Sequence, residues 1–424
     1  MTSNEKVSLR YGAHEAELSV IEATEGPGGI DISKLIATTG LSSYDQGFVN
    51  TSSTKSAITF IDGDKGILRH RGYPIEQLAA QKTFLDVAYL LVYGELPSAG
   101  ELEVFDQKLR QHSMIHPNMV RFFETFEPSA HPMAILSSAV SVLSTFYNDS
   151  TDARDPEQVE LSTIRLLAKL PVITSYTYKS LVGESFVDPD PSLSLVENFL
   201  RMTFGHKGQE WSANPVLTNA LDTLLLLHAD HEQNCSTSTV RLVGSSHANL
   251  FASISSGINA LSGPLHGGAN EAVLDMLTLI HESGDSVQKY VERVKNKEDG
   301  IRLMGFGHRV YKSFDPRAKI VKAHADEVLA ELGVSDPLLD IAKELEAAAL
   351  ADSYFVERKL YPNVDFYTGV IYKAMGFPSR MFTPLFAVGR LPGWIAHWRE
   401  QNQDPANRIG RPQQVYTGPT ERSI

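Results

Sequence analysis

The chain has 424 residues, far more than a domain of about 150 residues, and this length excludes a small peptide-binding module. Its 38 basic and 51 acidic residues give a net charge of -13, which disfavours nucleic acid and anionic membranes as partners. Any anionic ligand therefore needs a local cluster of cations. Charged residues at 21% and hydrophobic residues at 42% are ordinary globular usage, so neither a disordered nor a fibrous protein is indicated.

Cys235 is the only cysteine, so an intrachain disulfide and a thiolate zinc cage are both excluded. The first residues contain no apolar core of a signal peptide. No run approaches the roughly 18 apolar residues that a membrane helix requires. These features predict a cytoplasmic protein.

The amino-terminal residues alternate apolar and polar positions in short bursts, at 7–11 and again at 18–20, which predicts short strands. A hairpin is predicted next, because the apolar residues from Ile58 to Ile61 run into a glycine-containing turn before Ile67 and Leu68 resume the pattern. Residues 1–60 are therefore expected to form a β-rich region.

Beyond Pro74 the apolar residues recur at steps of three and four, so the body is predicted to be mainly α. Three helices are predicted to begin at a capping side chain followed by proline: Asn214–Pro215, Asp315–Pro316 and Asp336–Pro337. The helix opened by Pro316 is expected to end at Gly333. The following helix is expected to run on toward Tyr354 and Phe355.

Two stretches that combine glycine with proline, 262–268 and 375–378, are the predicted hinges. They divide the helical body into a large domain, residues 61–267 and 376–424, and a small domain, residues 268–375. The small domain is expected to close over a ligand site.

His266 lies in a loop of small residues just before a helical pattern. A histidine beside a helix amino terminus feels the positive end of the helix dipole, which favours a neutral imidazole that donates one hydrogen bond. Such a group could hold an enol oxygen. The alternative is that the glycines only make a tight turn, which the imidazole fills.

The segment 304–317 is the densest polar cluster in the sequence, with His308, Arg309, Lys312 and Arg317. Its glycines allow the backbone to approach a ligand, and its cations suit phosphate and carboxylate groups. The third glycine of a dinucleotide-binding fingerprint is missing. The alternative is a basic loop solvated at the surface.

His228 and His231 lie three residues apart with Asp230 between them. Two histidines and one carboxylate are chemically sufficient for zinc or iron. Two other roles are compatible with the same residues: capping the carboxyl end of a helix, or donating hydrogen bonds to a bound carboxylate.

Asp365 is predicted at the start of a helix among aromatic residues. Desolvation would raise the pKa of its carboxyl group and the helix amino terminus would lower it, so the sequence does not decide the direction. Its alternative role is to stabilise the helix dipole. Arg390 and Arg411 are single cations in apolar or small surroundings, and each could bind a substrate carboxylate or pair with a protein acid.

Four motifs occur together in this chain. They are LHADHEQN at 227–234, SGPLHGG at 262–268, the glycine-histidine to DPR string at 305–317, and YPNVDFYTG at 361–369. Together they resemble the citrate synthase family, and closely its bacterial type with a short β-rich amino-terminal region. The resemblance implies a mainly helical large domain and a smaller helical domain that closes over the ligands.

By the same resemblance the protein is expected to be a citrate synthase that condenses acetyl-CoA with oxaloacetate. Asp365 is similar to the base that removes a methyl proton, and His266 to the neutral donor to the thioester oxygen. His308 is similar to the histidine that polarises the oxaloacetate carbonyl. Citryl-CoA would form first and then be hydrolysed on the enzyme.

The resemblance also assigns binding roles. His231, His308, Arg317 and Arg390 match oxaloacetate and citrate binders, and Arg411 matches an arginine contributed by the partner subunit, which implies a homodimer as the minimal active unit or a hexamer built from it. The expected CoA-binding residues are Leu303, Met304, Gly305, Phe306, Gly307 and Lys312. No metal and no cofactor is expected, since acetyl-CoA is a substrate.

Two other enzymatic functions remain open from the sequence. A 2-methylcitrate synthase using propionyl-CoA would share every catalytic residue. A metal-dependent hydrolase would use the histidines and the aspartate of the HADH sequence, residues 228–231, as metal ligands. NADH inhibition, known in some bacterial relatives, is disfavoured because Gly208 and Gln111 replace a cysteine and an arginine found in those relatives.

Overall fold

A computed structural model describes residues 2–333 and 336–424 of the chain. The chain divides into two compact units. The residues up to Ser56 form one unit together with Gly410–Ile424, and Ala57–Ile409 form the other.

The first unit contains a small antiparallel sheet and one short helix. Its strands are β1 (Thr2–Tyr11), β2 (His14–Ile21) and β3 (Gly29–Ile30), in that order across the sheet, and its helix is α1 (Leu35–Thr39). Ala16 and Leu18 of β2 form a small buried cluster with Leu35 of α1. The predicted strands at 7–11 and 18–20 are confirmed.

The second unit begins with a three-stranded antiparallel sheet. It comprises β4 (Thr59–Asp62), β5 (Ile67–His70) and β6 (Tyr73–Pro74). Thr59 pairs with His70 and Asp62 with Ile67, so the predicted hairpin is confirmed.

Helices make up the rest of the second unit and account for the mainly α fold that the sequence predicts. The first eight are α2 (Ile75–Gln81), α3 (Phe84–Tyr93), α4 (Ala99–His112), α5 (Pro117–Phe123), α6 (Pro132–Phe146), α7 (Pro156–Val182), α8 (Leu195–Phe204) and α9 (Pro215–Leu227). The remaining nine are α10 (Cys235–Gly244), α11 (Leu250–Leu261), α12 (Ala269–Ser283), α13 (Val287–Lys295), α14 (Pro316–Leu332), α15 (Pro337–Ala351), α16 (Ser353–Glu357), α17 (Asp365–Ala374) and α18 (Phe382–Gln403).

The predicted helix starts are confirmed at α9, α14 and α15, where the capping side chain accepts a hydrogen bond from a first-turn amide and proline follows it. The predicted end of α14 is also confirmed, because Gly333 takes the left-handed conformation with φ of 60°. The expectation that α15 runs on toward Tyr354 is wrong. It ends at Ala351, because the Asp352 side chain accepts from the Tyr354 amide and starts α16 instead.

Two long helices, α7 and α18, pack against each other in the interior of this unit. Most of α18 is buried, and it brings Arg390, Trp394 and His397 into the core. A buried arginine requires polar partners, so polar groups are expected in the core around this helix.

The division into a large domain (61–267 and 376–424) and a closing small domain (268–375) stays a prediction. No helix among the described residues is both long and apolar enough to cross a membrane.

Candidate active site

Three aromatic side chains from two distant motifs meet in the second unit. The His231 Nε2 atom lies 3.2 Å from the Tyr311 hydroxyl, and the His231 and His308 ring centres are 5.1 Å apart. The Tyr311 and His308 ring centres are 4.9 Å apart. The structure thus brings together the HADH motif and the glycine-histidine string.

Backbone hydrogen bonds join the glycine-histidine string to the segment before Asp365. The Gly307 amide donates to the Tyr361 carbonyl (2.8 Å), and the Asn363 amide donates to the Gly305 carbonyl (2.9 Å). The Asn363 side chain also donates to the Gly307 carbonyl (2.9 Å). These bonds fix the chain that leads into His308 against the chain that leads into Asp365.

Gly305 is required by this close approach. Its φ is +76°, and an added Cβ would lie 2.7 Å from Val273 Cγ2 and 2.9 Å from Phe366 Cδ2. A side chain here would be strained and would also clash. The glycine therefore serves the joint between the two segments.

Asp315 and Arg317 form a buried bidentate ion pair. Arg317 Nε and Nη2 each donate to one Asp315 carboxylate oxygen at 2.9 Å. Asp315 also accepts from the Val364 amide at 3.0 Å, so the pair holds the residue next to Asp365. Arg317 Nη1 is outside the pair, and its one contact among the described residues is to the Leu227 carbonyl at 3.5 Å, which leaves it available to a ligand carboxylate.

Asp365 is the first residue of α17, and its backbone amide donates to the Asn363 side chain (3.0 Å). Burial raises the pKa of its carboxyl group to about 6, although the charges of Arg317 and Arg390 and a hydrogen bond from Asn270 act in the opposite direction. The direction that the sequence leaves open is therefore upward. A carboxylate with such a pKa is a stronger base than an ordinary aspartate and is still ionised at pH 7.

Within the part of the chain that the structure describes, His266 has hydrogen-bond contacts at one ring nitrogen, Nε2. The Ser236 amide donates to Nε2 at 3.2 Å, and the Ser236 hydroxyl lies 2.8 Å from the same atom. Because Nε2 accepts, the proton of a neutral imidazole sits on Nδ1. Burial and the charges of Arg390 and Arg309 lower the His266 pKa to about 4, so the ring is neutral near pH 7.

The amide that orients His266 belongs to a different helix from the one that the sequence suggests. Ser236 lies in the first turn of α10, thirty positions earlier in the chain, whereas the sequence points to the helix that follows, α12. The Trp394 indole donates to the Ser236 hydroxyl at 3.1 Å and keeps it in place.

His308 has the opposite tautomer. Its Nδ1 atom accepts from the Val310 amide (3.1 Å) and the Tyr311 amide (3.4 Å), so the proton is on Nε2. Burial and the Arg317 charge lower its pKa to about 4. His266 and His308 are thus both neutral imidazoles, each with one N–H to donate.

Arg390 is buried on α18, and its Nε donates to the His228 carbonyl at 2.6 Å. Its guanidinium also lies 4.8 Å from the centre of the Phe386 ring. No carboxylate among the described residues lies within salt-bridge distance of it. The remaining donors of this cation are suited to an anionic ligand, and burial lowers its pKa only to about 10, so it stays charged.

His231 and His228 have different hydrogen-bond partners. The His228 ring donates from Nδ1 to the Leu224 carbonyl (2.7 Å) and so caps the carboxyl end of α9, one of the roles that the sequence leaves open. His231 instead faces Tyr311. Among the described residues no group of three or more His, Cys, Asp or Glu side chains could hold a metal ion.

The six expected CoA-binding residues differ in exposure. Leu303, Gly305 and Phe306 are buried, Met304 and Gly307 are half-buried, and Lys312 is exposed. Their assignment to CoA stays a prediction. The Gly305 carbonyl and both backbone polar groups of Gly307 are hydrogen-bonded within the protein, so a ligand would have to use other groups of this segment.

Arg411 is exposed and belongs to the first compact unit. Its role in a partner's site stays a prediction.

The sequence does not indicate a role in this site for four residues: Ser236, Asn270, Tyr311 and Asp315, the ion-pair partner of Arg317. Asp315 is expected only as a helix cap, although an acid two residues before an arginine is a signal for such a pair. For the contacts of Ser236 and Asn270 no local signal exists, because each partner is distant in the sequence.

Comparisons with known proteins decide the family. A family model described as citrate synthase, C-terminal domain, matches residues 47–413. This chain belongs to the citrate synthase family. The family resemblance stated from the motifs is therefore confirmed.

Curated relatives are similar over nearly the whole chain. Citrate synthase 1 of Mycobacterium tuberculosis (strain ATCC 25618 / H37Rv) is 61% identical over 420 residues, covering 99% of this chain and 97% of the relative. Citrate synthase of Corynebacterium glutamicum is 54% identical over 424 residues, covering 100% of this chain and 97% of the relative.

Solved structures confirm the citrate synthase fold. The crystal structure of citrate synthase from Pyrobaculum aerophilum has a TM-score of 0.80 at 37% identity and covers 89% of this chain and 93% of its own. Citrate synthase from Thermoplasma acidophilum, solved as a ternary complex with carboxymethyl coenzyme A and oxaloacetate, has a TM-score of 0.81 at 29% identity and covers 90% and 98%.

Proposed function

We propose that this protein catalyses the condensation of acetyl-CoA, oxaloacetate and water to citrate and CoA. The observation that carries the proposal is the combination of one carboxylate of raised pKa, Asp365, with two neutral imidazoles, His266 and His308. The N–H group of each imidazole has no hydrogen-bond acceptor among the described residues. The protein's membership in the citrate synthase family supports the reaction class.

In the first step the Asp365 carboxylate takes a proton from the acetyl methyl group. A thioester methyl is a very weak carbon acid, so a donor must neutralise the thioester oxygen as negative charge develops on it. His266 Nδ1–H is that donor, because Nε2 is already occupied by Ser236. The product of this step is the enolate of acetyl-CoA, stabilised by the hydrogen bond from His266, with the methyl proton on Asp365.

In the second step the enolate carbon attacks the oxaloacetate carbonyl. His308 transfers its Nε2 proton to the carbonyl oxygen, which becomes the hydroxyl of citryl-CoA, and the ring regains a proton from the water that then attacks the thioester. His231, Arg317 and Arg390 hold the carboxylates of oxaloacetate, with Arg317 Nη1 and the outer nitrogens of Arg390 as the donors. Water then hydrolyses the thioester, releasing citrate and CoA.

The assembly proposal is a homodimer as the minimal active unit, with Arg411 of one subunit completing the site of the other. A hexamer would contain the same dimer. Sedimentation of the protein at micromolar concentration would measure the assembly size.

The deciding experiment is an oxaloacetate-dependent assay of free CoA release. We expect release only when both substrates are present, with citrate formed in equal amount. Propionyl-CoA in the same assay tests for 2-methylcitrate synthase, and a larger kcat/KM for propionyl-CoA would overturn the acetyl-CoA assignment. CoA release that stops on chelation and returns with zinc would favour the metal-dependent hydrolase instead.

The pH dependence follows from the same groups. Asp365 must be ionised to act as a base, so kcat/KM for oxaloacetate is expected to fall as the pH is lowered through about 6. The two histidines, with pKa values of about 4, are already neutral there and add no further limb above pH 5. A profile that stays flat from pH 5 to 8 would contradict this assignment.

A further inference from the structure

One face of α18 contacts three successive residues of the HADH loop, residues 228–231. Arg390 Nε donates to the His228 carbonyl at 2.6 Å, and the Gly393 amide donates to the Ala229 carbonyl at 3.1 Å. His397 Nε2 lies 3.3 Å from the Asp230 carboxylate. The three helix positions are three and four residues apart, so they share one face.

Gly393 allows this close contact. A Cβ at this position would lie 2.3 Å from the Ala229 carbonyl oxygen and 2.4 Å from Asp230 Oδ1. The loop is therefore seated against the backbone of α18, with no room for a side chain between them. Neither Gly393 nor His397 is among the residues to which the reaction assigns a role.

Asp230 is fully buried, and its carboxylate contacts both His397 on α18 and Glu232, the residue after His231. Its Oδ2 atom accepts from the Glu232 amide at 3.1 Å. Glu232 has a φ of +43°, a left-handed conformation that costs free energy in a residue other than glycine. The Asp230 carboxylate thus supports a strained turn directly after His231.

His397 is oriented for its contact with Asp230. Arg241 donates to His397 Nδ1 from Nη2 at 2.9 Å and from Nε at 3.2 Å, so the remaining imidazole proton is on Nε2 and points to the carboxylate. Arg241 is paired in turn with Glu400. The donor that holds Asp230 is itself held by an ion pair.

We propose that Asp230 and His397 are positioning residues that set the affinity for oxaloacetate, by holding His231 and Arg390 at the spacing that its carboxylates require. The inference rests on the proposed function, since it assumes that His231 and Arg390 bind oxaloacetate. It concerns one substrate only, because Asp230 and His397 contact neither His266 nor Asp365 in the described structure.

An alternative role for Asp230 is purely electrostatic, and it has the opposite sign. The Asp230 charge favours the protonated Arg390 and also competes with an anionic ligand for it. If the charge alone mattered, removing it would strengthen oxaloacetate binding. A positioning role predicts weaker binding, so the direction of the change separates the two.

The test uses Asp230→Asn, His397→Leu and His397→Gln in the full chain. We expect the first two to raise KM for oxaloacetate about 10- to 100-fold, as for the loss of a hydrogen bond to a charged group. The expected change in kcat is about 3-fold or less, because an interaction made equally in the ground and transition states affects KM. KM for acetyl-CoA at saturating oxaloacetate should stay within about 2-fold on the same ground.

His397→Gln is the rescue variant, since an amide supplies one donor for Asp230 and one acceptor for Arg241. It should recover most of the oxaloacetate affinity that His397→Leu loses. Asp222→Asn is the control for removing a buried carboxylate elsewhere: Asp222 accepts the Phe84 amide at the start of α3, and its loss should leave KM for oxaloacetate unchanged.

The outcomes separate the two proposals. Absence of oxaloacetate-dependent CoA release in the wild-type protein would contradict the proposed function. An active wild type, with Asp230→Asn and His397→Leu folded and their KM for oxaloacetate unchanged or lowered, would overturn only the positioning role. Should Asp230→Asn fail to fold, the comparison of His397→Leu with His397→Gln decides alone, because both leave the Asp230 charge in place.

Discussion

Asp365→Asn is expected to lower kcat by about 10³-fold or more while the protein stays folded. The amide has nearly the same shape as the carboxylate but cannot accept the methyl proton. Oxaloacetate binding should persist, because Arg317, Arg390 and His231 are untouched. Free CoA release measures the loss of turnover, and titration calorimetry with oxaloacetate measures the retained binding.

Stability provides a check on this variant. The folded-state pKa of Asp365 is raised above its ordinary value of 3.8, so at pH 7 the ionised carboxylate costs stability, a cost that is absent below both pKa values. The amide does not carry that cost. The variant is therefore expected to unfold at the same temperature as the wild type or higher, which excludes unfolding as the cause of lost activity.

The matched control is Asp222→Asn, which makes the same chemical change at another carboxyl group whose pKa burial raises to about 6. It should keep kcat close to the wild-type value. Turnover by Asp365→Asn within about 3-fold of the wild type would remove the assigned base.

His266→Ala is expected to lower kcat by about 10²- to 10³-fold, the usual loss for one donor to a developing oxyanion. The structure makes the prediction specific to one nitrogen. Ser236 donates to Nε2, so the catalytic proton is on Nδ1. An asparagine places its amide where Nδ1 was, whereas a glutamine places it nearer to Nε2.

His266→Asn should therefore retain more activity than His266→Ala, and His266→Gln should resemble His266→Ala. Steady-state kcat for the three variants, compared at saturating substrates, measures the order. If glutamine restores activity and asparagine does not, the donor is Nε2 and the tautomer inferred from Ser236 is wrong.

Local signals in the sequence predicted the elements well. Helix starts at Asn214, Asp315 and Asp336 are set by a cap and a proline that are adjacent in the chain, and the hairpin before α2 is set by its own turn. The error at the end of α15 also concerns a local signal. Asp352 was available as a cap, but the apolar pattern continued through it and concealed the break.

The motifs of the sequence, through their family resemblance, identified the reaction and predicted the reactive side chains. What the sequence could not decide was their chemical state, since this depends on atoms brought in from elsewhere in the chain. The pKa of Asp365 rises because folding buries it beyond what Arg317 and Arg390 offset. The tautomer of His266 depends on the Ser236 amide of another helix.

Sequence alone thus determined most of the secondary structure, because this follows from neighbouring residues and their spacing. The expected reactive side chains came from the family resemblance of the motifs. Tertiary structure decided which nitrogen carries each proton and how strong the base is. It also decided that α18 holds the HADH loop through Arg390, Gly393 and His397. Hydrogen bonds and desolvation between distant segments have no signature in local sequence, so only the folded chain defines them.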